Sequence, residues 1–586
     1  MALALLFALA GLVLFAHPYR GIEHDAVLYA LQALRSLEPQ SLGDDLFFRY
    51  GSQDTYTLFS PLYAALISLV GLEPAAHLIA RFSLLALFLG GLLLTRRMME
   101  RDLAWLAIAL FISIPGNYGA SNVLKYAENF ATPRTLTEAL VITSLGFLLG
   151  GRRLAAFAAI GVGFLLHPLM AVPGLIAIVL LLKNRTASIA LFAAGMSAVL
   201  IAILIATVMP IGPIRFIDPI WHESLAELVP YLLLERWSIS DWQPTVVGLA
   251  TLVAATRVLQ DGPSKQLATI GAITGLAGIA LAGIASIAPV ALIVQGQPWR
   301  WMWLGKALAV LLLVPVGIAC WQRGHLTRTA LALLVVAWFA RNDALGVVAS
   351  LLALLALTVD AGELPARSRR LATSGFLLLA LILGLAALRV HWLPVELMLA
   401  GVVIAIWWLL FRARPLALKA AGAVAAIALG VLQLSATART PGDVGVVPDY
   451  GQGSATSFAE WREHIGKHQT VFFPEHPEMV WLVLHRKSYA AYAAPVFSRE
   501  AALATHTRFR NIQSLTAPAP IQRPSLESNV PSLTQDGALR ACQFAEIDFV
   551  ITPTHLPAPA LVSSAQGELA GFRLYACTDL RRLAAN

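Results

Sequence analysis

Charged residues are scarce in this chain, so the places where they gather are where chemistry can occur. Glu23-His24-Asp25 stand together near the N-terminus, and the same stretch runs on through Asp44-Asp45 to Gly51-Ser52-Gln53-Asp54. A carboxylate held at an apolar boundary can have its pKa raised and act as a general base, or it can bind a cation or a sugar hydroxyl. Asp25 is the best placed, because Ala26-Val27-Leu28-Tyr29-Ala30-Leu31 reads as a helix lying on a bilayer with Asp25 in its first turn. Glu23 is the next candidate base, and His24 and Asp54 are candidate substrate ligands. The plainer alternative is that Asp25 or Glu23 only favours the positive end of the helix dipole. Asp44 and Asp45 read as caps of the next element.

A second group spans Lys125-Tyr126-Ala127-Glu128-Asn129-Phe130-Ala131-Thr132-Pro133-Arg134-Thr135-Leu136-Thr137-Glu138. Arg134 offers a planar fork suited to a phosphate, and Glu128 can position a substrate or support the arginine. The alternative is an ion pair of Arg134 with Glu128 or Glu138 that merely fixes the loop. His167-Pro168 interrupts the apolar run 154–182 near its middle. An ionisable residue in such a run is costly and marks function by default, and the proline gives the run a reason to turn back. A neutral histidine bonded to a carbonyl is the competing reading. In Gln295-Gly296-Gln297-Pro298-Trp299-Arg300-Trp301-Met302-Trp303 the tryptophans suit an interfacial belt, while Arg300 beside them suits a lipid-borne phosphate. Arg341-Asn342-Asp343 reads as a local ion pair. No Gly-rich phosphate loop, His-Glu-x-x-His zinc spacing or nucleophile elbow is present.

The elements that must position these residues are membrane helices. Of 586 residues 58% are hydrophobic and 13% charged, against roughly a quarter charged in a soluble domain. Mean hydropathy is +0.71. Measured against the ~20 residues needed to cross a bilayer, the apolar stretches before residue 437 suffice for about fifteen spans, several of them short. The net charge of +8 comes from short basic clusters between apolar runs, not from one continuous face, so it points to membrane orientation and away from nucleic acid. Arg96, Arg97, Arg101, Arg152, Arg153, Lys183, Arg185, Arg257, Lys265, Arg323, Arg328, Arg367, Arg369, Arg370, Arg412, Arg414 and Lys419 fall in one alternating set of short loops, expected to be cytoplasmic. The opposite set holds three longer loops, 18–75, 116–138 and 210–242, with fourteen acidic and seven basic residues, expected to lie outside. This parity requires residues 59–70, bounded by Ser60-Pro61 and Gly71, to be an interfacial or re-entrant helix of about a dozen residues and not a span. It places the N-terminus inside.

Two domains are expected. Residues 1–437 form the transmembrane domain, and after a polar linker residues 438–586 form a small extracytoplasmic α/β or α+β domain. Within it, 470–473, 479–484 and 548–552 are candidate strands, 498–510 a helix capped by Ser498, and 516–532 a Pro/Ser-rich loop. Three cysteines exclude a disulfide framework, but Cys542 and Cys577 can bridge if this domain lies outside the cytoplasm.

The pattern resembles the GT-C superfamily of membrane glycosyltransferases, which includes protein O-mannosyltransferases, aminoarabinose transferases and oligosaccharyltransferases. The residues that carry the likeness are Asp25 early in a long first outer loop, Phe59-Ser60-Pro61-Leu62-Tyr63 ending at Gly71, and Ala80-Arg81-Phe82-Ser83 near the start of the second span, with a soluble outer domain closing the chain. The likeness covers about residues 1 to 320. The chain also looks similar to uncharacterised bacterial polytopic membrane proteins with segments like Tyr126-Ala127-Glu128-Asn129-Phe130-Ala131-Thr132-Pro133-Arg134 and Gln297-Pro298-Trp299-Arg300. The resemblance implies an essential early acidic residue, here Asp25, and a donor sugar on a polyprenyl phosphate or diphosphate. There are departures: no clear metal-binding Asp-x-Asp stands in the outer loops, and the spans outnumber those of several well-known members.

The expected activity is transfer of a sugar, with inversion, from a polyprenyl-phosphate-linked donor to an extracytoplasmic acceptor. Asp25 would be the base, and Arg134 and Arg300 would hold the donor phosphate. No cofactor is expected, the lipid-linked sugar being a substrate, and a metal-independent mechanism is favoured. The expected location is the inner membrane of a bacterium, and the partners are the bilayer, the donor and an acceptor. The rival class is a transporter or flippase using His167 and the outer arginines for substrate passage. A third is an assembly protein whose outer domain binds a partner.

Overall fold

The computed structural model describes residues 2–120, 123–182, 185–340, 343–362, 365–390, 395–412, parts of 417–425, 458–490, 498–516, 533–563 and 571–585. The linker at 438–457, most of the 516–532 loop, and Arg341 with its expected ion pair lie outside these. The protein is mostly helical, with a sheet-containing region after residue 457.

Among the described residues five helices are long and apolar enough to cross a membrane: Leu72–Met98, Pro263–Ile287, Ala291–Arg323, Ala344–Ala361 and Ala366–Leu388. Other apolar helices are shorter, among them Arg153–Leu166, Pro168–Leu181 and His325–Phe339. The difference from the expected fifteen spans is one of length, since fourteen residues of α-helix rise only about 21 Å, less than the ~30 Å hydrocarbon core. The chain is a membrane protein by these five helices. Phe59–Val70 is a separate twelve-residue helix, as its bounding residues require, and ends at Gly71. There a φ of +89° turns the chain into Leu72–Met98.

The region after 457 is built on a five-stranded sheet: β3 (Thr470–Phe472), β4 (Lys487–Ser488), β5 (Phe549–Thr552), β6 (Val562–Ser563) and β7 (Arg573–Ala576), numbered after the loop ribbon of β1 (Asn117–Tyr118) and β2 (Leu124–Lys125). Its order is β4-β3-β5-β7-β6. β3 runs parallel to β4 and β5, with Val471 opposite Phe549, while β7 is antiparallel to β5 and β6, with Val550 opposite Tyr575. The candidate strand at 479–484 is instead the end of a helix, Pro477–Leu482. All six of its residues are buried, so neither period 2 nor period 3.6 shows in the sequence, and Pro477 at the first turn favours the helix. Arg499–Thr516 is helical as expected, with Ser498 Oγ accepting the Ala501 N–H at 3.1 Å. Cys542 and Cys577 are bridged.

This region does not stand apart from the long loops between the helices. Val471, Phe473, Trp481 and Ile551 share one apolar core with Ile22, Ala26, Phe47 and Phe48 of the first long loop. Ile217, Trp221 and Leu225 of the third loop share another with Phe509, Ile512 and Val550. Asp45 fastens the first seam. It caps Leu46–Arg49 through Phe47 N–H at 2.9 Å, as expected, and its other oxygen accepts from Trp481 Nε1 at 2.9 Å and Ser488 N–H at 3.0 Å.

Candidate active site

Asp25 opens the helix Asp25–Leu37, in which every residue from Ala26 to Leu34 is buried. The helix therefore does not lie on a bilayer. Its neighbours are Phe59–Val70 on one side and Pro477–Leu482 on the other, and protein covers the apolar faces that lipid was expected to cover. Asp25 itself stays 28% exposed, at the mouth of this packing.

Pro133 starts the helix Pro133–Leu149 and places Arg134 in its first turn, where the side chain is 2% exposed. The guanidinium donates Nε to both Glu128 oxygens at 3.0 and 3.1 Å and Nη2 to Glu128 Oε1 at 2.7 Å. It donates Nη1 to Asp25 Oδ2 at 2.6 Å, closing a contact across 109 residues of sequence. Glu128 is held in turn by the Thr132 hydroxyl at 2.6 Å, and its own N–H donates to Thr135 Oγ1 at 3.1 Å. Arg134 is thus committed to two carboxylates, and the alternative of a pairing with Glu128 describes half of what is seen. Glu138 does not pair with it. Its Oε2 accepts the Ala127 N–H at 3.1 Å.

Burial favours the neutral form of Asp25. The charges of Arg134, then His24, then the Arg134 hydrogen bond and Arg300 outweigh this and hold the carboxyl well below the usual range. The sequence reading allowed a raised value, and the direction is the opposite because Arg134 is in contact. His24 precedes Asp25 with a φ of +52° and an Nδ1 3.5 Å from Asp25 Oδ1.

Arg300, on another loop, lies near enough for its charge to act on Asp25. Its Nε donates to Gln297 Oε1 at 2.6 Å, and Gln297 sits in the left-handed region with φ 45°. Gly119 permits this turn, because a Cβ there would fall 2.2 Å from Trp299 Cζ3. Trp303 Nε1 donates to the Met170 carbonyl at 3.2 Å, tying the Arg300 turn to the His167 turn. His167 ends Arg153–Leu166 and caps Pro168–Leu181, its Nδ1 accepting the Met170 N–H at 3.4 Å. Its partner is therefore an N–H and not the expected carbonyl. Burial first, then the charges of Arg300 and Arg134, push its pKa well down, so the ring is neutral.

The structure brings together Asp25, His24, Glu128, Arg134, His167 and Arg300. Glu23 lies in the turn leading into the helix, its carbonyl accepting the Ala26 N–H at 3.0 Å. Asp54 is placed elsewhere. It pairs with Arg35 at 3.0 Å and accepts from the Ser52 hydroxyl, and Arg35 is ten residues along the helix from Asp25, about 15 Å. Sequence reasoning missed the buried Tyr29 and Tyr118 and the half-buried Tyr231, three phenols near enough to feel the charge of Arg300. Burial, with Asp25 nearby, pushes Tyr231 up to about 12. Their positions on three separate segments left no spacing to read.

The Arg134 guanidinium stands between Asp25 and Glu128, in the place a cation between two carboxylates would take. Among the described residues no three His, Cys, Asp or Glu side chains converge as metal ligands. The arrangement offers a part-exposed ionised carboxylate, a second guanidinium near enough to act on it, and the Tyr29 ring beside Arg134.

No protein-family model matches the chain, and no curated protein sequence matches it. Among solved structures, a match is the oligosaccharyltransferase of Archaeoglobus fulgidus, crystallised tethered with an acceptor peptide containing the NVT sequon. It is 12% identical, with 94% of this chain and 68% of that one covered and a TM-score of 0.40. A likeness this loose carries no argument about the present chain.

Proposed function

We propose that this protein is a membrane glycosyltransferase of the GT-C kind, which moves a sugar from a polyprenyl-phosphate-linked donor to an acceptor on the outer side. The observation that supports this reading is the Asp25–Arg134–Glu128 arrangement, a part-exposed carboxylate aimed by a buried guanidinium, with the charge of Arg300 acting on it.

The acceptor hydroxyl or amine donates a hydrogen bond to the free Asp25 oxygen and attacks the anomeric carbon. The bond from that carbon to the phosphate oxygen breaks on the opposite face, its electron pair leaves with the phosphate, and configuration inverts. Arg300 balances the charge of the leaving lipid phosphate. Asp25 takes the acceptor's proton. The ion pair keeps Asp25 ionised at any physiological pH but also weakens it as a base, so proton transfer falls late in the step and orientation is the larger part of its work. Arg134, expected from its fork to bind phosphate, is assigned instead to aim Asp25, because its donors are taken by Glu128 and Asp25. The outer loops and the region after 457 enclose the site on the extracytoplasmic side, with the N-terminus inside.

The test is purified full-length protein in lipid nanodiscs, incubated with a panel of undecaprenyl-phosphate-linked hexoses and pentoses. Release of undecaprenyl phosphate is the expected result. No release across the panel, with movement of the same compounds across vesicles holding the protein, would replace this reading by the flippase.

A further inference from the structure

Among the described residues only four non-glycine residues have positive φ: His24, Ala127, Gln297 and His485. Three adjoin the site, since His24 precedes Asp25, Ala127 precedes Glu128, and Gln297 accepts the Arg300 Nε–H. A non-glycine residue rarely adopts this conformation and keeps it only where its surroundings over-determine it. At Ala127 what does so is visible. The residue is fully buried with φ +58°. Its N–H donates to Glu138 Oε2 at 3.1 Å, and its carbonyl faces His17 Nδ1 at 3.1 Å. His17 Nε2 lies 2.9 Å from the Ile112 carbonyl, and burial holds the ring neutral, so its single N–H serves only one of the two carbonyls.

The connections run in both directions. Glu138 lies four residues after Arg134 on the same helix, one turn away on the same face. One helix therefore carries both the guanidinium and the carboxyl that holds the 126–127 peptide, while Thr135 between them holds the N–H of the 127–128 peptide. Asn129 Nδ2 donates to the Pro18 carbonyl at 2.7 Å, fastening the Glu128 loop to the start of the segment that leads to Asp25. Neither Glu138 nor His17 touches Asp25, and Glu138 Oε1 has no hydrogen-bond partner among the described residues.

We propose that Glu138 is a positioning residue that locks Ala127 in the left-handed conformation, so that Glu128 clamps Arg134 and Arg134 in turn aims Asp25. The proposal rests on the reading of Asp25 as the reacting carboxylate. It assigns to Glu138 only the role of hydrogen-bond acceptor. The physical cause is directional: the φ of residue 127 sets the plane of the peptide that carries Glu128, and in an ordinary helical or extended conformation that side chain would leave the loop along a different line.

Glu138→Gln keeps a carbonyl oxygen for the Ala127 N–H, whereas Glu138→Leu keeps the volume and removes the acceptor. Full-length variants in nanodiscs are compared by hydrogen–deuterium exchange of peptides covering 124–132, which needs no substrate. They are also compared by undecaprenyl phosphate release from whichever donor the unmodified protein accepts. Glu138→Leu is expected to speed exchange at 127–129 about tenfold or more. It should lower kcat about tenfold with the donor KM unchanged. Glu138→Gln should stay within about twofold in both. Glycine adopts positive φ without strain, so Glu138→Leu combined with Ala127→Gly should recover part of the lost turnover, which a mere packing role for Glu138 would not produce. If Glu138→Leu does not fold alone, a folded double variant supports the lock, and failure of both to fold while Glu138→Gln behaves as unmodified protein supports the acceptor role. Native exchange in Glu138→Leu overturns the proposal, as does a folded Glu138→Gln as impaired as Glu138→Leu. If no donor is turned over at all, the glycosyltransferase reading fails and the exchange result alone decides the lock.

Discussion

The Arg134 cluster and the seam between the third long loop and helix Arg499–Thr516 are made of the same groups, carboxylates facing guanidinium and imidazole. In the first, Arg134 and Glu128 are 2% and 1% exposed. In the second, Asp218 meets Arg499 at 2.5 Å, and Glu227 meets His506 at 2.8 Å and Arg510 at 2.6 Å, with every partner between about a fifth and just over half exposed. Water and ions screen the seam, so its pairs guide how two surfaces meet while Trp221, Leu225, Phe509 and Ile512 beneath supply the cohesion. In the cluster, Arg134 and Glu128 have no water to fall back on. Each of its charges is tolerable only because the others are in place, and that interdependence is what aims Asp25.

Removing one member from each region separates them most sharply. Arg134→Gln strands Glu128 and Asp25 without a cation and should cost about 3–5 kcal/mol, read as a large fall in melting temperature. Asp218→Asn or Glu227→Gln should cost less than about 1 kcal/mol. A fall of equal size at both would show that burial is not what divides them.

A smaller effect concerns Arg300, which is not shared between carboxylates. Arg300→Gln should raise the donor KM about tenfold or more while the melting temperature holds. An unchanged KM would move the phosphate away from Arg300.

Salt and acid give the finest distinction. Raising salt to about 0.5 M should loosen the seam, seen as faster exchange of its peptides, and leave the 124–132 peptides unchanged. Asp25 and Asp218 both have lowered folded pKa values, in each case against burial. For Asp25 the opposing influence is Arg134, and for Asp218 it is backbone bonds led by Trp221 together with Arg499. A depressed carboxyl contributes its stabilisation fully above the unfolded value of about 3.9 and loses it as pH falls through the lower folded value. Melting curves between pH 7 and 5 should therefore show no loss from either group. The acid limb of kcat/KM should lie below about pH 4, and a limb at pH 5 to 6 would mean that another group acts as base.

How far the sequence anticipated this differs between the two regions for a physical reason. Asp25 at a helix start, the helix between Ser60-Pro61 and Gly71, the cap at Asp45 and the nearness of Glu128 to Arg134 are local patterns and were legible. The Asp25 to Arg134 contact spans 109 residues, and no periodicity encodes it, so Arg134 read as a free phosphate ligand. The helix at Pro477–Leu482 and the Asp25 helix misled in a common way. Each is apolar all round because protein packs on every side, and an apolar stretch alone does not distinguish a strand from a helix, or a lipid contact from a buried one. The left-handed Ala127 carries no sequence mark at all, since the residue expected there would be glycine.

The central claim is that a buried arginine aims a reactive carboxylate, and Asp25→Asn tests it most directly. Asparagine keeps the size of the side chain and an oxygen for Arg134 Nη1, but it cannot take a proton. In nanodiscs, with the melting temperature and the exchange of 124–132 close to those of the unmodified protein, turnover of the undecaprenyl-phosphate-linked donor should fall about a hundredfold or more with little change in donor KM. Full turnover in such a folded variant would contradict the account and pass the role of base to Glu23.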